Sequence, residues 1–205
     1  MMKTKRFGGF GKKALPVLLA AVLAMFAFSI PAYAADETPG ENGTSTEASV
    51  TFNPGELKLE KAPALDFGSH PVSDAAQEYA VETIGDPLRV SDLRGSGDGW
   101  KLMASLSNFK LADETVTLQA AEIKTTGPSV ITVGGNIGAP PAAFSEITLP
   151  SDNTQTPVWA AEKDEGMGVW ELEWQKANTK LLVKPGTART GKSVATITWS
   201  LQSTP

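Results

Sequence analysis

The 205-residue chain has no cysteine, one histidine and two tyrosines. Without cysteine there are no disulfides, no metal–thiolate sites and no thiol nucleophile. With one imidazole, a Ser-His-Asp arrangement has a single base to draw on. That residue, His70, stands in "FGSHPV" beside a proline, with no nucleophile-elbow sequence around any serine, and reads as a loop residue. Carboxylates are numerous, so spacing alone leaves a two-carboxylate hydrolase open, but the chain offers few groups for catalysis and reads as a non-enzyme.

A long apolar span is also missing. The longest largely apolar run, Ala14–Ile30, covers 17 residues, short of the roughly 20 that a membrane-spanning helix needs. It follows a basic start (Lys3, Lys5, Arg6, Lys12, Lys13) and ends in Pro31-Ala32-Tyr33-Ala34, the order of a secretory signal peptide with an Ala-x-Ala site. Residues 1–34 are therefore expected to be cleaved, leaving no membrane span. Removing five of the 18 Lys and Arg and none of the 23 Asp and Glu gives a mature net charge of −10. Such an acidic surface disfavours nucleic acid as a partner and makes adhesion by bulk charge unfavourable.

Residues 35–48, "ADETPGENGTSTEA", are acidic and small; they bury too little to offset their ordering entropy and are expected to form a flexible tether. The remaining 49–205 suffice for one domain stabilised by apolar burial alone. Helix-period stretches are scarce: only Ser73–Glu82 and Ala160–Asp164 admit a short helix. The rest is short alternating runs cut by Gly, Pro, Asn and Asp, which predicts many strands. The clearest are 49–53, 78–84, 99–106, 114–125, 168–174, 179–185 and 193–201. Pro140-Pro141 and "PSDNTQTP" at 150–157 predict a surface excursion between the two halves. The expected fold is all-β, a sandwich-like single domain, Ig-like or barrel-like, with short helical turns.

A Trp-x-Leu tripeptide occurs in "GWKL" at 99–102, in "TWSL" at 198–201 and within "WELEW" at 170–174. Residues two apart in a strand share a face, so Trp100 pairs with Leu102, Trp199 with Leu201, and Trp170, Leu172 and Trp174 line one side opposite Glu171 and Glu173. Two roles compete for these indoles: filling a sandwich interior, or standing exposed to stack on a sugar ring or dock on a partner. In either case Trp100 and Trp199 are expected to lie close together, partly buried with one edge exposed. The approach to the first tripeptide, "VSDLRGSGDGW", alternates Gly95, Gly97 and Gly99 with Ser96 and Asp98. Glycines there permit positive φ and a tight turn, and Asp92 and Asp98 are placed to satisfy its amides. The spacing departs from an EF-hand loop and no helix follows to cradle phosphate. No metal or cofactor is expected.

The set "LDFGS" (65–69), "VSDLRGSGDGWKL" (90–102), "LQAAEI" (118–123) and "LLVKPGTARTGKSVATITWSLQSTP" (181–205) resembles the WxL-domain family of secreted Gram-positive surface proteins, over about 49–205. The family pairs a Gly-Trp-x-Leu near the domain middle with a Thr-Trp-x-Leu near its end. The resemblance implies non-covalent attachment to the peptidoglycan-containing wall or a wall-associated polymer, at the cell surface, beside a membrane-anchored partner protein. It carries the motif role onto Trp100, Leu102, Trp199 and Leu201, flanked by the turn residues Asp92, Arg94, Gly95, Gly97, Asp98 and Gly99. Trp170 and Leu172 fall outside the two motifs and read as core. No sortase-type Leu-Pro-x-Thr-Gly is found; "LPSDN" at 149–153 departs at its last two positions. Retention is therefore expected to be reversible. The alternative is a subunit of a surface complex, docked on the membrane-anchored protein and acting in adhesion to host or matrix.

Overall fold

The computed structural model describes residues 44–205, so the expected signal peptide and the tether up to residue 43 lie outside the described residues. Within the compact unit Val50–Pro205 the chain forms sixteen short strands, all pairing antiparallel.

One four-stranded sheet has the order β1 (Leu57–Lys61), β5 (Leu88–Asp92), β14 (Gly168–Glu173), β10 (Ser129–Thr132). A second runs β11 (Ala142–Ala143), β13 (Thr156–Ala161), β6 (Trp100–Leu106), β16 (Ile197–Ser203). The third runs β12 (Glu146–Pro150), β9 (Glu122–Thr126), β15 (Thr179–Val183), β3 (Gln77–Ala80). Two small ladders, β2 (Leu65–Asp66) with β4 (Thr83–Ile84) and β7 (Phe109–Lys110) with β8 (Val116–Thr117), complete it. The sheets stay open, without closing into a barrel, and enclose one shared apolar core, so the fold is all-β and sandwich-like.

The core follows from strand alternation. In β14, Trp170 and Leu172 are buried, as is Trp174 just beyond it, while Glu171 and Glu173 turn outward. Glu171 then bonds Arg89 on the neighbouring β5 (Nε to Oε1, 2.8 Å), closing a cross-strand pair at the register Glu171 to Arg89. Leu88 and Val90 of β5 face the same interior, and the third sheet contributes Ile123 of β9 with Ile147 and Leu149 of β12.

Several expectations change. Residues 49–53 form no strand: they are an exposed arm, and the strands begin at β1, because among the described residues no ladder partner pairs with them. The run 78–84 breaks into β3 and β4, and 114–125 into β8 and β9; the second break falls where Leu118 and Ala120 take positive φ (48° and 55°), outside the extended region. The last strand starts later than 193 and runs on to Ser203. Neither helix candidate is helical: Ser73–Glu82 contains β3, and Ala160–Asp164 is the end of β13 and a turn. Among the described residues the helical element is a single 3-10 turn, Lys176–Asn178. The 150–157 excursion is a short turn between β12 and β13, whose flanking prolines lie inside those strands and whose Ser151 is buried.

Candidate functional site

The first and last Trp-x-Leu tripeptides, Trp100–Leu102 and Trp199–Leu201, lie on hydrogen-bonded neighbours, β6 and β16, although about a hundred residues separate them in the chain. In the antiparallel register Leu102 stands opposite Leu201, Trp100 opposite Ser203, and Trp199 opposite Ala104. Partners across a ladder share a face, so both indoles and both leucines point to one side, the core. The two tryptophans are offset by four positions, roughly 13 Å along the strands. They flank the central leucine pair rather than touching each other.

Position in the sheet then separates their environments. β6 is flanked on both sides, and Trp100 and Leu102 are 0% exposed. Trp100 meets Trp159 of β13 edge-to-face, with ring centres 5.1 Å apart, and its indole N–H donates to the Gly166 carbonyl (3.3 Å). It has no exposed edge, contrary to the expectation for both indoles, because β13 and the 162–167 turn close over it. β16 is an edge strand, so Trp199 and Leu201 are only half-buried; Trp199 leans on Trp174 at 5.9 Å.

The glycine-rich approach is a clamp that holds these strands together. Asp92 ends β5 with its side chain 2% exposed. Arg94 reaches it as a two-pronged pair, Nε to Oδ1 at 2.9 Å and Nη2 to Oδ2 at 2.8 Å. The same guanidinium donates to the carbonyls of Asp98 (2.9 Å) and Gly99 (3.1 Å) and to the Ser203 hydroxyl at the end of β16. Bonding to Asp92 raises the Arg94 pKa above its ordinary value, against burial, with further attraction from Asp92 and Asp98; the cation persists at every working pH. One arginine thus ties the end of β5, the glycine turn and the C-terminal strand. Gly95 and Gly97 adopt φ of 68° and 74°, a region costly for side-chain-bearing residues. Ser96 and Asp98 bond each other within the turn (2.9 Å).

Gly99 serves a different purpose, close approach: a Cβ there would run into the Ala161 carbonyl and lie 2.7 Å from Thr204 Oγ1. The Thr204 amide bonds the Gly99 carbonyl at 3.0 Å, continuing the β6–β16 ladder past the motif. Gly99→Ala is therefore expected to lower stability by about 1–3 kcal/mol through overpacking. Urea titration checks this; an unchanged midpoint would show that the strands have room there.

A family model described as "WxL domain surface cell wall-binding" matches residues 31–205. The chain belongs to the WxL-domain family. No curated protein and no solved structure matches it. Membership places this WxL domain at the cell wall and surface, in a family of cell-wall-binding surface domains rather than of enzymes.

Sequence reasoning missed Trp159, the aromatic partner of the first WxL motif. A bulge between Pro157 and Trp159 leaves Val158 and Trp159 consecutive and both fully buried, so the period-2 signal is erased there. In the sequence Arg94 is visible only as a motif neighbour; nothing local shows that its far prong meets Ser203, 109 positions on. His70 is exposed, its ring 3.9 Å from that of Tyr79 in a stacked arrangement and its Nε2 2.6 Å from the Phe67 carbonyl oxygen. Among the described residues no group of three His, Cys, Asp or Glu side chains is placed to hold a metal, and no helix is long and apolar enough to cross a membrane.

Proposed function

We propose that this WxL domain holds a secreted protein on the bacterial wall non-covalently and directly, through the outer face of the β6–β16 pair. The observation that carries this reading is the joint register of the two motifs. Their tryptophans and leucines turn inward as core, so the middle residues, Lys101 and Ser200, turn outward, beside Gln202 and Met103. Lys101 and Gln202, direct partners across the ladder, are both exposed. Lys101 makes no ion pair among the described residues. An unpaired ammonium beside amide, hydroxyl and thioether groups on this strand pair suits a polymer that offers hydroxyls and carboxylates, as peptidoglycan does. On this reading residues 1–34 are removed on export and 35–48 form the tether.

The test is co-sedimentation with purified sacculi, free of other proteins. Lys101→Glu combined with Gln202→Glu is expected to weaken binding about tenfold or more, near 1.4 kcal/mol. Circular dichroism and the unfolding midpoint should stay as in the wild type. A variant that pellets as the wild type does would remove this face from the binding surface. Sedimentation that requires an added membrane-anchored protein would instead favour the subunit reading.

A further inference from the structure

The arm before β1 and the outer edge of β16 are two unpaired backbone segments of matching character. The arm runs Val50–Asn53, outside any strand, with Val50 74% and Phe52 85% exposed and Thr51 and Asn53 alternating with them in the sequence. A segment that alternates apolar and polar residues without a sheet to pack on exposes apolar surface that water disfavours. Its root is fixed, since the Gly55 amide donates to the Leu93 carbonyl (2.8 Å) and the Leu93 amide to the Glu56 carbonyl (3.0 Å).

The edge of β16 shows the complementary need. Ladder bonds from the Ser107 amide to the Thr196 carbonyl (2.9 Å) and from the Thr204 amide to the Gly99 carbonyl (3.0 Å) fix the alternation. Residues 198, 200 and 202 then bond β6, and the backbone groups of Ile197, Trp199, Leu201 and Ser203 point away from it. Among the described residues β16 pairs with β6 alone, and β1 comes near it without a backbone bond. Arg94, paired with Asp92 opposite Leu57 at the start of β1, reaches Ser203 at the end of β16. The Ile197–Leu201 stretch is thus a strand edge whose core-side residues remain half-exposed. It also lacks the charges, proline or bulge that usually blunt such an edge.

We propose that the edge of β16 is completed by the Val50–Asn53 arm of a second copy of this chain. A strand added there puts Val50 and Phe52 on the core side, over Ile197, Trp199 and Leu201, and leaves Thr51 beside Thr198 and Ser200 on the outer side. The arm, about 13 Å long at the usual rise per residue, fits within the seven-residue edge. Among the described residues the chain's own arm makes no backbone bond to β16, and Val50 and Phe52 stay exposed and do not cover its edge. Charge makes this seam the place where like copies meet with least local repulsion. The mature chain carries −10 overall, so copies repel over most of their surface, while neither Val50–Asn53 nor Ile197–Ser203 holds a charged side chain. Arm and edge are different surfaces, so the contact is head-to-tail and propagates into a chain of domains or closes into a ring.

The absence of native cysteine makes the test direct. The secreted chain is prepared as two single variants, Thr51→Cys and Ser200→Cys, and mixed under mild oxidation. The expected result is a disulfide-linked dimer in the mixture, at least about tenfold above either variant alone, since paired strands hold Cα atoms within disulfide range. In sedimentation velocity the wild type should gain mass with concentration. Val50→Lys with Phe52→Asp should remain monomeric with an unchanged unfolding midpoint, because both side chains are exposed in the monomer. A wild type that stays monomeric, a mixture that does not cross-link, or a Thr51→Cys, Ser200→Cys double variant that closes within one chain each overturns the proposal.

Discussion

Replacing Trp100 with alanine is expected to lower the unfolding free energy by about 3–5 kcal/mol, the range for a fully buried Trp. The side chain is 0% exposed, packs edge-to-face on Trp159 and donates its indole N–H to Gly166, so the change opens a cavity and frees a buried carbonyl together. The site cannot collapse easily. A Cβ at Gly166 would already lie 2.5 Å from Ala161 Cβ and 2.8 Å from Trp100 Nε1, showing that the turn is seated directly on the ring. Against a domain stability of about 5–15 kcal/mol, this loss is a large fraction of the whole. Trp199→Ala, at the half-buried edge, should cost clearly less. Urea unfolding of both variants decides the matter: equal losses would contradict the burial difference between the motifs. Wall binding lost in Trp100→Ala would therefore report unfolding unless the fold is checked in the same sample.

Arg94→Ala is expected to cost about 3–5 kcal/mol as well, by a different route. It leaves the Asp92 carboxylate, 2% exposed, without its cation, and a buried charge stripped of its partner is strongly unfavourable. Arg94→Lys should recover only part, because an ammonium cannot reproduce the fork that meets both Asp92 oxygens, two carbonyls and Ser203 at once. Asp92→Asn with Arg94→Ala should be less damaging than the sum of the single changes, since it removes the orphaned charge. A double-mutant cycle measures that coupling; additivity would show that the pair does not act as a unit. Hydrogen exchange at the Thr204 amide gives a second readout, with faster exchange expected when the clamp is cut.

The class of fold and the faces of its strands were legible in the chain because strand geometry is local. Alternation in "WELEW" already told which side Trp170, Leu172 and Trp174 would take, and the same rule placed Trp100 with Leu102 and Trp199 with Leu201. Where local geometry departs from the rule, the reading failed. The bulge at Val158-Trp159 hid the partner of Trp100, and positive φ at Leu118 and Ala120 split a run that looked continuous. The arm at 49–53 has the composition of a strand but no neighbour, and composition carries no information about neighbours.

By itself, then, the sequence determined an all-β domain, disulfide-free and acidic, with two indole–leucine stripes each committed to one face. Tertiary structure alone decided that the stripes lie side by side with Leu102 against Leu201, that Trp100 is sealed while Trp199 stands at an edge, and that Arg94 joins three segments. The reason is one of range. A side chain's face follows from the φ and ψ of its own strand. Its burial depends on how many strands flank that one, which is settled only when pairings between residues some hundred positions apart repay the entropy of closing the chain between them.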